Sequence, residues 1–364
     1  MGKNSEYYKD KQKQQTIRLR ELLDQLPPSA KDFIQAKQVT AQTSTLIQYS
    51  YDLITFFQFL VDNNPTVKNK NIKDIRIDTI AAIQPKDIEE YQRYLELNID
   101  SLHYHENGKK SIARKMAPLR GMYKYLVRNK DIDENPTELV DLPRLKKDKN
   151  IVRMNAYEVQ SILQLIETGN ATMSKRQQQF LLKTRNRDLA ILTLMLNTGI
   201  RVSECNGLDL DDVDLKVNSM VIVRKGGGQD VLYFGPQVHD VLTEYLLTER
   251  KTILPVKGHE KAFFLSMQGK RMSVDAIENL VKKYAKMAVP SKHITPHKLR
   301  STYGTALYRE TGDIRLVADV LGHENINTTI DYYAAIEDEH KREAADAVDY
   351  SQLNKEEMRR HNKS

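Results

Sequence analysis

The chain contains a single cysteine, Cys205. An intramolecular disulfide is therefore excluded, and a reducing compartment is expected. Long apolar runs are missing too. The longest, over residues 189–196, falls well short of the ~20 apolar residues of a membrane span and reads as a buried helix. Residues 1–20 are polar and rich in Lys and Gln, without the apolar centre of a secretory signal. These absences exclude a membrane partner and point to the cytoplasm, most simply a bacterial-type cytosol. No internal repeat is visible. The histidines lack tight ligand spacing and an accompanying carboxylate cluster, so no metal is expected.

What is present is a chain of 364 residues, enough for two domains of ordinary size. Its 40% hydrophobic residues can supply real cores, while 29% charged residues fit a surface in water. The net charge of +7 is a mild basic excess, compatible with a polyanionic partner without requiring one.

Periodicity divides the chain. Residues 1–25 form a charged lead with helical character. Residues 46–60 repeat apolar side chains at helical spacing until Asn63-Asn64-Pro65 stops them. Further helices are predicted over 85–97 and 112–126, so residues 26–140 read as a small all-helical domain. Residues 141–153 are basic and proline-punctuated, without apolar periodicity, and read as a linker. A second domain spans 154–353, with a charged tail over 354–364. Helices are predicted at 156–167, 185–197, 237–250, 274–287, 296–310, 314–321 and about 328–337. Two β-branched or aromatic runs, 220–223 and 230–234, flank a glycine cluster and predict a hairpin. The expected fold is mainly α: a helical N-terminal domain, then a mostly α domain with a small antiparallel β-sheet.

The chemistry-bearing residues lie in the second domain. Thr295 suits an N-cap and Pro296 a first helical turn, so His297 and Arg300 share a face near a helix N-terminus. Backbone N–H groups there favour an anion, and an arginine fork grips two phosphate oxygens. Arg201 follows a helix that stops at Gly199 and opens a short turn, with Glu204 three residues later to orient it. Lys225 sits among hairpin glycines. Asp313 suits an N-cap and Gly322 a left-handed stop, which places His323 at a helix end. Tyr332 and Tyr333 follow in the next helix and point in different directions. Taken singly, each residue reads as an ordinary polar surface, cap or core position.

Together, Arg201, Lys225, His297, Arg300, His323 and Tyr332 resemble, in order, the Arg…Lys…His-x-x-Arg…His…Tyr set of the tyrosine recombinases, the phage integrase family. The surrounding words match: Thr-Gly-x-Arg-x-Ser-Glu, Pro-His-x-Leu-Arg, and Leu-Gly-His followed by Thr328-Thr329. The family's nucleophile lies nine residues after the last histidine, which selects Tyr332 over Tyr333. The tight resemblance covers about 188–336, and the N-terminal block resembles the family's core-binding (SAM-like) domain more loosely. The lengthened 167–187 segment and the Arg-Lys-Gly-Gly hairpin are similar to the Xer-like subgroup. Two stretches depart from the pattern. Ser301 stands where another histidine is common, and Gly228, Gln229 and Asp230 stand where the hairpin often carries a further basic residue. Asp230 is thus expected to oppose a hairpin–phosphate contact.

The resemblance implies a site-specific recombinase. Arg201 and Arg300 clamp the scissile phosphate with help from His323, and Tyr332 forms a covalent 3′-phosphotyrosine. Lys225 protonates the leaving 5′-oxygen, and His297 takes the tyrosine proton or helps to position the phosphate. The implied partners are a double-stranded DNA recombination site and a homotetramer on two such sites, acting through a Holliday junction. An accessory or directionality factor stays open. Candidate DNA contacts are Arg114, Lys115, Arg120 and Lys124 on one helix and Arg144, Lys146, Lys147 and Lys149 in the linker. Lack of an obvious arm-binding domain before residue 20 favours Xer-like chromosome or plasmid dimer resolution over integration and excision of a mobile element. A type IB topoisomerase and an inactive DNA-binding regulator are weaker readings. A metal-dependent nuclease using His103, His105, His297 and His323 is weaker still.

Overall fold

The computed structural model describes residues 6–100, 103–106, 108–144, 152–169, 173–224 and 226–322. It divides into two compact units, Asn4–Lys147 and Asp148–Ser364.

The first unit contains α1 (Glu6–Leu23), α2 (Pro28–Lys37), α3 (Thr43–Asn63), α4 (Ile77–Ala81), α5 (Pro85–Glu96), strands β1 (Leu97–Asp100) and β2 (His103–Glu106), and α6 (Lys109–Arg128). The apolar stripe of α3 buries Leu46, Leu53, Phe56, Phe57 and Leu60. Its partners include Tyr91 of α5 and Met116, Leu119 and Tyr123 of α6, all inaccessible to solvent. Residues 1–25 were set apart in the sequence reading, but α1 belongs to this core, where Leu19 and Leu23 are buried. The all-helical expectation also needs correction, because β1 and β2 form an antiparallel hairpin pairing Leu97 with Glu106 and Asp100 with His103. Asn98, Asp100, His103 and His105 hide it from sequence pattern, since they lack β-branched alternation.

The second unit contains α7 (Ala156–Thr168), α8 (Lys175–Thr198), α9 (Val202–Asn206), β3 (Val213–Asp214), β4 (Ser219–Val223), β5 (Gln229–Tyr233), α10 (Pro236–Tyr245), α11 (Val274–Ala288), α12 (Pro296–Thr311) and α13 (Ile314–Leu321). A π-helical turn, Leu246–Arg250, extends α10. The predicted hairpin is present, and β3 adds a short third strand in an antiparallel sheet of order β3-β4-β5. Met220, Ile222 and Leu232 turn into the core. The predicted helix over 328–337 lies outside the described residues.

Helix α8 is the spine of this unit. Ala190, Ile191, Leu192, Leu194, Met195 and Leu196 are all buried, so the helix is covered on every side over 190–196, with α7, α10 and α12 as its main partners. It starts at Lys175 rather than at residue 185, because Ser174 and Gln177 form a reciprocal capping box. At the position where the sequence reading began the helix, the Asn186 and Arg187 backbone N–H groups donate to Glu249 at 2.7 and 2.9 Å. Burial raises the Glu249 pKa, against the opposing effect of those N–H groups and Arg187. Beside it, Arg187 pairs with Asp188 at 2.7 Å, and the Tyr284 hydroxyl donates to the same carboxyl group at 2.8 Å, tying α8 to α11.

No described helix is long and apolar enough to cross a membrane.

Because Phe57 is fully buried between α3 and its neighbours, Phe57→Ala is expected to destabilise the first unit by about 3–5 kcal/mol. Denaturant unfolding followed by circular dichroism measures this. A loss below about 1 kcal/mol, typical of a tolerated surface change, would contradict the packing described.

Candidate active site

The site is built around the end of α13. An α-helix leaves its last carbonyls without intrahelical partners, and its C-terminus carries negative partial charge. Here three arginines from three other segments satisfy consecutive carbonyls. Arg224, after β4, donates to Val320 O at 3.0 Å. Arg300, on α12, donates to Leu321 O. Arg201, at the N-cap of α9, donates to Gly322 O at 2.8 Å.

Local sequence places each of them. Gly199 ends α8 in the left-handed region at φ 62°, and Arg201 follows as the N-cap of α9. An added Cβ on Gly199 would meet the Tyr303 ring at 2.6 Å and Leu321 at 2.8 Å, so glycine is needed for space as well as backbone. Arg300 Nη1 donates to Gly199 O at 2.5 Å, pinning the same turn from the other side. Tyr308, Val317 and Leu321 pack α12 against α13. At the start of α13, Asp313 accepts from the Arg315 and Leu316 backbone N–H groups, as its N-cap position predicts. Gly322 closes the helix at φ 57°. Thr295 occupies the N-cap of α12 without a side-chain cap bond, and Pro296 takes the first turn.

Glu204 organises the arginines. Its carboxylate is buried and accepts from the Arg201 backbone N–H and from Arg201 Nη1, both at 2.8 Å. Arg224 Nη1 approaches the same oxygen at 3.4 Å. The Arg300 side chain is buried, whereas that of Arg201 keeps 29% of its surface exposed. His297 reaches solvent one helical turn before Arg300. Its pKa is lowered, first by protein packed around it, which disfavours the charged ring, and then by Lys298, Arg300 and Arg201. Ser301 donates its hydroxyl to His297 O at 2.9 Å, one turn back along α12. Cys205 lies directly behind Glu204, fully buried, and its thiol is pushed up to about 12.

The structure therefore brings Arg201, Glu204, His297 and Arg300 together. Lys225, His323, Tyr332 and Tyr333 lie outside the described residues. Sequence reasoning assigned no role to Arg224, although it stands beside Lys225. Asp230, expected to oppose a hairpin–phosphate contact, pairs with Arg224 at 2.9 Å while its side chain stays 47% exposed.

The candidate DNA contacts are placed unequally. Lys124 and Arg144 are exposed, and Lys115 is half-buried. Arg114 is exposed but pairs with buried Asp52 at 2.7 Å. Arg120 donates to Val140 O at 2.5 Å. Lys146, Lys147 and Lys149 lie outside the described residues. Among the described residues, no group of three or more His, Cys, Asp or Glu side chains could hold a metal ion.

Comparison with known proteins gives the family of the chain. Residues 152–340 match the phage integrase family. The tyrosine recombinase XerC of Caldanaerobacter subterraneus subsp. tengcongensis is 33% identical over 337 residues, covering 90% of this chain and 88% of that protein. XerS of Streptococcus mutans serotype c is 31% identical over 343 residues, covering 88% of this chain and 95% of its own length. Among solved structures, the XerH recombinase bound to a palindromic difH substrate superposes with a TM-score of 0.64 at 19% identity, covering 92% and 88% of the two chains. The Tn1549 transposon integrase with transposon right end DNA gives 0.60 at 19% identity, covering 87% and 98%. The chain belongs to the phage integrase family as a Xer-like tyrosine recombinase, a site-specific enzyme that cleaves and rejoins DNA.

Proposed function

We propose that the chain recombines two copies of a specific DNA site through a covalent 3′-phosphotyrosine and a Holliday junction, in chromosome or plasmid dimer resolution. The observation that carries this reading is the convergence of Arg201 and Arg300, about a hundred positions apart, on the Leu321-Gly322 turn. Two guanidinium groups fixed at one helix end form a preorganised anion clamp, which costs no reorganisation when charge develops on the phosphate. His323 follows that turn directly in sequence and assists the clamp.

Tyr332 attacks the phosphorus. An O–P bond to the tyrosine forms as the bond to the 5′-oxygen breaks, and Lys225 supplies a proton to that leaving oxygen. His297, kept neutral by its lowered pKa, accepts the tyrosine proton. The phosphotyrosine conserves the bond energy, and a 5′-hydroxyl from the partner duplex reverses the step. Four copies act pairwise on two sites. The segment after Glu343 docks on a neighbouring copy and restrains half of the sites.

Residues 26–140 act as the core-binding domain and 154–353 as the catalytic domain, joined by the 141–153 linker. DNA phosphates meet Arg114, Lys115, Arg120, Lys124 and Arg144, with Lys146, Lys147 and Lys149, so affinity falls steeply with salt. The likeness to XerC and XerS, at 33% and 31% identity over 90% and 88% of the chain, supports the Xer-like reading, under which we favour dimer resolution in the cytosol over mobile-element integration.

A nicked suicide substrate carrying candidate sites tests this reading on a denaturing gel. Wild type and Tyr333→Phe should form a protein–DNA adduct, with or without chelator, and Tyr332→Phe should form none. Loss of the adduct only in Tyr333→Phe would assign the nucleophile to that residue instead.

The His297 environment gives a second expectation. A folded-state pKa below the ordinary 6.5 means that the unfolded chain binds more protons just below that pH, so His297 subtracts stability as pH falls through 6.5. An NMR titration of the His297 ring in the DNA-free protein should give a midpoint below 6.5, moving upward in Lys298→Ala. A midpoint at or above 6.5 would remove the basis for a neutral proton acceptor.

A further inference from the structure

Arg224 precedes Lys225 and links the β4–β5 hairpin to α9, which carries Arg201, and to the end of α13. Its side chain is only 13% exposed. It donates to Val320 O at 3.0 Å and to Asp230 Oδ2 at 2.9–3.0 Å, and lies 3.4 Å from Glu204 Oε1. It also packs flat against Gly322, where an added Cβ would fall 2.7 Å from the guanidinium Cζ and Nε. The backbone of the same residue closes the hairpin turn. Arg224 N donates to Gly228 O at 2.8 Å, and Gly227 N donates to Arg224 O at 3.0 Å. One residue therefore ties off the segment 224–228, which contains Lys225 in sequence, and fastens it to α9 and to the end of α13.

The chemistry requires an arginine. Three acceptors in different directions need a planar, always-charged group with several fixed donors, whereas an ammonium offers a compact point charge. Glu204 shared between Arg201 and Arg224 also makes the hairpin and the phosphate clamp parts of one charge-balanced cluster.

We propose that Arg224 is a positioning residue for strand cleavage, which sets the Lys225-bearing turn in register with the phosphate held by Arg201 and Arg300. It touches neither DNA nor the reacting atoms and acts through the placement of the general acid. This inference rests on the reading of Lys225 as that acid.

The test compares single-turnover cleavage of ordinary site DNA with DNA carrying sulfur at the 5′-bridging position. In the sulfur substrate the Tyr332 O–P bond forms and the P–S bond breaks, with its electron pair leaving on a thiolate that needs no proton. Arg224→Gln, Arg224→Ala and Arg224→Lys are measured beside Lys225→Ala, with DNA binding and thermal unfolding recorded for each. Arg224→Gln and Arg224→Ala should cleave ordinary DNA about 10²-fold more slowly, bind the site as wild type does, and recover on the sulfur substrate together with Lys225→Ala. Arg224→Lys should fall between them and wild type. Should Arg224→Ala unfold, the glutamine and lysine variants carry the comparison. Wild-type cleavage by the folded Arg224 variants overturns the proposal. Rescue confined to Lys225→Ala also overturns it, leaving the reading of Lys225 intact. If sulfur fails to rescue Lys225→Ala, both that reading and this proposal fall.

Discussion

Everything at this site depends on how one short helix ends. Helix α13 finishes at Leu321, and its final carbonyls must find donors outside the helix. Arg224, Arg300 and Arg201 provide them at Val320, Leu321 and Gly322 in turn. A cation at a helix C-terminus is favoured by the helix dipole, so the carbonyls hold the guanidinium groups as firmly as the reverse. Arginines spaced widely along the chain become one cluster because they share a single hydrogen-bond sink. Glu204, buried and shared by two of them, supplies the compensating charge that a half-buried cationic cluster requires.

The rest of the second unit serves to hold that turn still. Helix α8 is buried all round over 190–196 and delivers Gly199 and Arg201 to the site from the core. Arg300 then grips Gly199 from α12, so a displacement of either helix is felt at both arginines. Misplacement by about 1 Å can cost about 10²-fold in rate, which explains why so many side chains serve alignment. The polar group on α8, Arg187-Asp188 with Tyr284 and Glu249, is remote from the arginines but fixes the same helix. Breaking a buried pair of this kind leaves an uncompensated charge, which costs far more than the intact pair contributes.

Much of this was legible in the sequence because its signals are local. Asp313 and Gly322 mark both ends of α13, Pro296 starts α12, and the glycine cluster after Val223 marks a hairpin. Each announces a backbone conformation through one or two residues. The order Arg201, Lys225, His297, Arg300, His323 and Tyr332 carried the family resemblance for the same reason, since it is a pattern of words. Other features could not be read this way. The pairing of Asp230 with Arg224 is a contact set by the register of β4 against β5. The hairpin at 97–106 escaped because its polar residues carry no period-two signal. The early start of α8 depends on the Ser174–Gln177 box, while the donation of Asn186 and Arg187 to Glu249 is a contact across the fold. Arg224 was visible only as a neighbour of Lys225, and its role comes entirely from tertiary contacts.

The central claim is that the end of α13 holds the arginine cluster in its working geometry. Gly322 is the most direct point of attack, since it needs a positive φ and lies against Arg224. Single-turnover cleavage by Gly322→Ala, with site affinity measured in parallel, tests this claim. If the helix end sets the cluster, the variant keeps its affinity for the DNA and cleaves about 10²-fold more slowly. Cleavage at the wild-type rate by a folded Gly322→Ala protein would contradict it.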